Sequence, residues 1–271
     1  MEQMTRIISA LVILPPFIFC PLYVPANFFL FLVLALIGLS MYEYFSLLAS
    51  IELSRGSFIS FAVSLGLPII ADLEGWFGLQ LMLFVALMAL TVDILCFSRD
   101  TLHPFPTLLY RSFGVFFIAW DLSHLVLLRR LWEGQWYVLF LCLTIWVGDS
   151  VAMYVGRSLG RHKMAPGVSP GKTWEGSVGG IIGGVLTAVL IAPVFLPHLV
   201  LWQKIGLGVL ITLSAQLSDL GESLLKRYVG VKDSSRLIPG HGGVLDRVDS
   251  LLFATPAFVY ALAILGVAVF P

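Results

Sequence analysis

The chain is a succession of apolar runs, each close to the length needed to cross a lipid bilayer, and this spacing restricts the fold more than any motif does. A span needs roughly 20 mostly apolar residues, and in lipid its backbone groups have to be satisfied within the segment, which selects helices. By that measure, helices are predicted near residues 7–24, 26–49, 56–72, 76–98, 112–128, 134–156, 175–197, 199–226 and 249–270. Composition agrees: 59% of the 271 residues are hydrophobic, 12% are charged, and mean hydropathy is +0.96. Soluble domains carry about a quarter charged residues. The expected fold is an all-α integral membrane protein of about nine transmembrane helices, a single polytopic domain over residues 1–271. The first run, with Arg6 ahead of it, lacks a small-x-small cleavage pattern and reads as a retained helix rather than a signal peptide.

Basic residues in the connections set orientation. Thirteen of the sixteen Lys and Arg residues fall on the side of the N-terminus, and three (Arg129, Arg130 and Lys204) fall on the other. The N-terminus and the two long polar connections, 157–174 and 227–248, are therefore predicted to be cytoplasmic. Net charge is zero, so nothing suggests a nucleic-acid surface. Cys20, Cys96 and Cys142 each stand alone in an apolar run and read as buried free thiols. Gly176, Gly180 and Gly184 recur every four residues, a small-residue face that lets another helix approach closely, within the chain or between two copies.

Ionisable groups at membrane depth are costly and by default suggest function. Asp219, Glu222, Ser223 and Lys226 share one stripe of the eighth predicted helix, and Asp246 and Asp249 lie one turn apart at the start of the ninth. Two readings fit these acids with Lys226, Arg227 and Arg247: an ion-pair lock between helices, or a hard divalent cation completed by phosphate oxygens. The loop between them contains Lys232, His241, Gly242 and Gly243. Its glycines permit close backbone approach, and it leads into a helix N-terminus that favours anions. The other long connection contributes Arg157, Arg161, Lys163, Ser169, Lys172 and Thr173, with Asp149 two turns upstream of Arg157. Its "SPGKT" is not a P-loop, because Pro166 stands where the first glycine belongs and a membrane span precedes it. Glu43, Asp93 and Asp121 lack companion acids nearby in sequence and are assigned to helix–helix hydrogen bonding, outside the site.

The pattern Ser223-x-Leu225-Lys226-Arg227-x4-Lys232-Asp233-x-Ser235-x2-Ile238-Pro239-x-His241-Gly242-Gly243-x-x-Asp246-Arg247-x-Asp249 resembles the signature of the phosphatidate cytidylyltransferases, also called CDP-diacylglycerol synthases. The upstream "DSVAMYVGRSLGRHKMAPGVSPGKTWEG" resembles a second block of the same family, and the chain's length is similar to the bacterial form, which implies a bacterial inner membrane. The resemblance implies CTP and phosphatidic acid as substrates, CDP-diacylglycerol and pyrophosphate as products, and a homodimer among membrane lipids. It also implies Mg²⁺, with a second cation left open. Asp219 and Asp246 are then the expected metal ligands, with Glu222 and Asp249 beside them. Lys226, Arg227, Arg247 and His241 would act on phosphate. Ser169, Lys172, Thr173, Ser223, Lys232, Gly242, Gly243 and Asp149 would bind substrate. On this reading residues 1–130 are N-terminal helices, and 131–271 hold the catalytic helices and cytoplasmic loops. The alternatives are a related CTP-dependent lipid kinase, an ether-lipid cytidylyltransferase, or a cation-coupled transporter, the last weakened by the absence of internal repeats.

Overall fold

The computed structural model describes residues 22–51, 56–97, 103–238 and 242–268. The predicted first helix, with Cys20, lies almost wholly outside them. Among the described residues six helices are long and apolar enough to cross a membrane, and the chain is an integral membrane protein. In chain order the elements are α1 (Ala26–Ser50), α2 (Phe58–Val92) with a π-helical turn Asp93–Phe97, and α3 (Pro104–Gly114), which passes through a π-helical segment Val115–Trp120 into α4 (Asp121–Arg130). Then come α5 (Gly134–Leu159), the strands β1 (Lys163–Ala165) and β2 (Ser169–Thr173), α6 (Trp174–Phe195), α7 (Leu201–Val229) and α8 (Leu245–Ile264). The helix α7 is outside the set of six: Gln203, Lys204 and Gln216 lower the hydropathy of its first part, and Asp219, Glu222, Lys226 and Arg227 crowd its C-terminal part.

Two differences from the sequence expectation have simple causes. The strands form an antiparallel hairpin, Lys163 opposite Thr173 and Ala165 opposite Ser169, a short addition to a chain that is otherwise helical as expected. Pro166 and Gly167 supply its turn. The run Phe58–Phe97 is helical over 40 residues where two helices are predicted. Straight, it would extend about 60 Å, twice a hydrocarbon core of ~30 Å. Gly75, at φ 64° and ψ −149°, breaks it into two membrane-length pieces near the predicted boundary.

The chain divides into two compact units: residues up to Arg130 with Val229–Arg247, and Leu131–Tyr228 with Val248–Val269. In the first, α1 and α2 pack with the α3–α4 rod around Ile37, Met41, Tyr44, Leu48, Phe117 and Leu122, all fully buried. The Tyr44 hydroxyl donates to the Tyr110 carbonyl at 2.8 Å. Arg130, ending α4, holds Asp72 through two bonds (2.5 and 2.7 Å) and Asn27 of α1 at 2.8 Å. The bend at Gly75, the start of α1 and the end of α4 therefore lie at one end of this unit. Asp93 pairs with Arg111 at 2.6 Å, the helix–helix bond expected of it. Asp121 is also buried, with neither oxygen hydrogen-bonded.

In the second unit α5 and α6 pack closely, and the glycine face is the reason. A Cβ on Gly180 would meet the Ala152 Cβ at 2.8 Å and the Gly148 carbonyl at 3.0 Å; one on Gly176 would meet the Ala152 carbonyl at 2.8 Å. Gly184 lies against Thr212 of α7. The small face is filled inside the chain. Cys142 is buried as expected, but Cys96 is exposed. Hydropathy does not separate these cases, because lipid accepts an apolar side chain as readily as the protein interior does.

Candidate active site

A pocket of about 470 Å³ opens in the second unit, within the usual ~300–1,000 Å³ for small-molecule sites. Helix α5 lines it with Asp149, Ala152, Met153, Gly156 and Arg157, spaced so that they share one face. The hairpin adds Ser169, Gly171, Lys172 and Thr173; α6 adds Gly176 and Ser177; α7 adds Gln216 and Asp219; α8 adds Asp249 and Ser250. The absent side chains at Gly156 and Gly176 thus serve both the helix contact and the open space. Thr173 caps α6, its hydroxyl accepting from the Gly176 N–H at 3.1 Å, which fixes where strand becomes helix.

The pocket holds an ion pair with further carboxylates beside it. Lys172 Nζ lies 2.8 Å from Asp219 Oδ2, and the Ser223 hydroxyl, one turn further along α7, donates to Asp219 Oδ1 at 3.3 Å. Ser250 donates to Asp149 Oδ2 at 3.2 Å. Asp149, Asp219 and Asp249 all line this one pocket. Gln216 and Ser177 bond reciprocally, the hydroxyl to the amide oxygen and the amide N–H to the Ser177 carbonyl.

A second polar cluster belongs to the first unit. Asp246, in the first turn of α8, accepts at Oδ2 from the N–H groups of Ser234 (2.9 Å) and Gly243 (2.7 Å) and from the Ser234 hydroxyl (2.8 Å). Glu43 of α1, fully buried, accepts from Val244 N–H (2.9 Å), Leu245 N–H (2.8 Å), Ser235 hydroxyl (2.6 Å) and Ser234 hydroxyl (3.1 Å). Gly242 has φ +80°, and a Cβ on Gly243 would collide with Glu43 and Ser234. The N–H groups of Gly243, Val244 and Leu245, which the sequence offers to an anion, are therefore already held by the chain's own carboxylates.

The residues expected from the sequence divide accordingly. Asp149, Ser169, Lys172, Thr173, Asp219 and Asp249 line the pocket, and Ser223 holds Asp219. Glu222 pairs with Lys226 as a buried couple, neither lining the pocket, and Arg227 donates to the Val168 carbonyl at 3.1 Å. Lys232, Gly242, Gly243, Asp246 and Arg247 fall in the first unit, with Lys232 and Arg247 exposed. His241 lies outside the described residues. Gln216, Ser177, Ser250 and Glu43 are the functional candidates that sequence reasoning missed. The first three are ordinary polar residues in helices, with no spacing signal. Glu43, which the sequence assigns to helix–helix bonding, bonds the first amide of α8 and also holds the loop before it.

Among the described residues no three His, Cys, Asp or Glu side chains converge as a ready metal cage. This donor set fits Mg²⁺ nonetheless, which takes one or two carboxylates and completes its shell from water and substrate phosphates. Asp219 and Asp249 offer the right hard oxygens to one pocket, from α7 and α8.

Residues 4–265 match the model of the cytidylyltransferase family. The chain belongs to that family. Curated cytidylyltransferases similar to it include the phosphatidate cytidylyltransferase of Bacillus subtilis, 33% identical over 197 residues, 71% of either chain. That of Staphylococcus saprophyticus is 41% identical over 124 residues, which cover 46% of this chain and 48% of the relative. The Staphylococcus aureus protein is 40% identical over the same length. The matched segment thus spans about half of the staphylococcal relatives.

Proposed function

We propose that this cytidylyltransferase transfers CMP from CTP to phosphatidic acid, giving CDP-diacylglycerol and pyrophosphate for phospholipid synthesis. The observation that carries the reading, beside the family, is the pocket in which Lys172 from a hairpin meets Asp219, with Asp149 and Asp249 alongside. Such a mixture of acids and a base suits a metal-bound triphosphate better than an apolar ligand.

An oxygen of the phosphatidate phosphate attacks the α-phosphorus of CTP, the bond to the bridging oxygen breaks, and pyrophosphate leaves. A phosphate monoester with second pKa about 6 is largely ionised near neutral pH, so no strong general base is required. The remaining difficulty is bringing anions together, which positioned charge overcomes. Lys172 neutralises the triphosphate. Arg157, on the α5 wall, provides a second cation there. Ser169 and Thr173 orient the nucleotide, and Ser223 keeps Asp219 in its rotamer. Asp219 and Asp249 would hold Mg²⁺, which supplies charge neutralisation and polarisation of the phosphoryl oxygens. Asp246, one turn before Asp249 on α8, is the other carboxylate that the family resemblance assigns to metal. Lys226, Arg227 and Arg247 are assigned to phosphate on the same ground.

The enzyme sits in a bacterial inner membrane with its N-terminus and pocket facing the cytoplasm, where CTP is found. The distribution of basic residues supports this. The meeting of Asn27, Asp72 and Arg130 supports it too, since all three are expected on the opposite face. A homodimer is part of the same reading.

The deciding test is to incubate detergent-purified protein with radiolabelled CTP and phosphatidic acid, with Mg²⁺ or excess chelator, beside Asp246→Asn. Label is expected in the lipid phase only with metal, and lost in the variant. No label in lipid under any metal would overturn the assignment. A lipid product heavier by one phosphoryl group rather than by CMP would point to a kinase.

A further inference from the structure

We propose that Glu43 is the positioning residue of this enzyme: from the other end of the sequence, it fixes the loop that aims Asp246. The proposal rests on the cytidylyltransferase reading for the reaction served, and on geometry alone for the clamp. Glu43 is a fully buried carboxylate on a membrane-spanning helix, and no Lys or Arg pairs with it among the described residues. Its compensation consists of the Val244 and Leu245 N–H groups, the Ser235 hydroxyl and a share of the Ser234 hydroxyl, whose one proton also faces Asp246. Two are the N–H groups that open α8, so Glu43 places a negative charge at that helix's positive end.

The arrangement is jointly specified with Asp246. The Ser234 hydroxyl lies between the two carboxylates, 3.1 Å from Glu43 Oε2 and 2.8 Å from Asp246 Oδ2. Asp246 holds Gly243 N–H, while Glu43 holds the next two amides. The first turn of α8 and the Asp246 rotamer are therefore set by one network, to which Glu43 contributes its two oxygens. Glutamine has the same shape but only one acceptor oxygen. In Glu43→Gln either Val244 or Leu245 N–H faces an amide N–H, and the loop loses an anchor without a change in volume. Gly243 is required here because the Glu43 carboxyl occupies the space of its Cβ.

The test compares wild type, Glu43→Gln and Asp93→Asn, the last a loss of a buried charge in the same unit that is paired with Arg111 rather than with the loop. Three quantities are read: amide hydrogen exchange of residues 242–246 without substrate, melting temperature, and the CTP and Mg²⁺ dependence of lipid labelling. Glu43→Gln is expected to speed exchange at Val244 and Leu245 at least tenfold. It should lower kcat at least tenfold and raise the half-saturating Mg²⁺ at least fivefold, with KM for CTP within twofold of wild type. Asp93→Asn should lower the melting temperature without moving exchange in the loop or the Mg²⁺ requirement. Unchanged exchange in Glu43→Gln would overturn the clamp. Faster exchange with wild-type kcat and Mg²⁺ dependence would overturn the positioning role. Wild-type protein that labels no lipid would remove the enzymatic reading, and the exchange comparison would still decide the clamp.

Discussion

Lys172 and Asp219 show how one residue pair links local structure to chemistry. Lys172 projects from a short strand whose end is fixed by the Thr173 cap, so its ammonium reaches Asp219 on α7 at 2.8 Å. Lys172→Ala removes the partner of Asp219 and, on the proposed function, a phosphate cation. The expected result is a KM for CTP at least tenfold higher, measured by initial-rate lipid labelling, with the melting temperature nearly unchanged. The pair is partly solvated, and such pairs contribute only about 0–1 kcal/mol to stability. An equal loss in kcat with KM unmoved would place Lys172 on the transition state instead. Lys172 and Asp219 were both legible as candidates from their sequence neighbourhoods. Their contact was not, since it joins elements 47 positions apart in a way that no period reports.

At the scale of elements, two glycine positions do different work. Gly180 is defined by its neighbours. A Cβ there meets Ala152 and the Gly148 carbonyl, so Gly180→Leu would force α5 and α6 apart. Overpacking of this kind costs typically 1–3 kcal/mol, more when backbone blocks relaxation. Because the same two helices wall the pocket, the variant should lose thermal stability and CTP binding together in detergent melts and equilibrium binding. The periodicity of Gly176, Gly180 and Gly184 made this face visible in the sequence. Gly75 is defined by its backbone. Its φ of 64° with ψ −149° costs a residue with a Cβ about 1–3 kcal/mol, so Gly75→Ala should lower the melting temperature although it lies far from the pocket residues in sequence. A single glycine inside an apolar run does not announce positive φ, and only the predicted two-helix split hinted at the break.

For the whole molecule, the testable property is orientation. Glu133 lies in the turn before α5, and Gly167 in the hairpin turn, where an added Cβ meets nothing within 4 Å. In a cysteine-free background, Glu133→Cys should react with an impermeant thiol reagent from outside intact cells. Gly167→Cys should react only after permeabilisation. Reaction of both from the same side would reject the topology and the cytoplasmic pocket with it.

The apolar run lengths settle that this chain is helical and membrane-spanning, because a bilayer imposes one length and demands internally satisfied backbones on any segment that crosses it. The acidic and basic positions of α7, α8 and the hairpin are legible for a related reason: charge at membrane depth is too costly to be incidental. What the tertiary structure alone decides is which charges meet. Glu43 lies 191 residues from Ser234, and nothing local distinguishes it from Asp93, which forms an ordinary ion pair, or from Asp121, whose side-chain oxygens have no hydrogen bond among the described residues. Intramembrane burial marks each of the three as expensive. Only the fold determines what compensates each one, because compensation depends on donors brought from distant elements, and their arrival is a property of packing rather than of sequence neighbourhood.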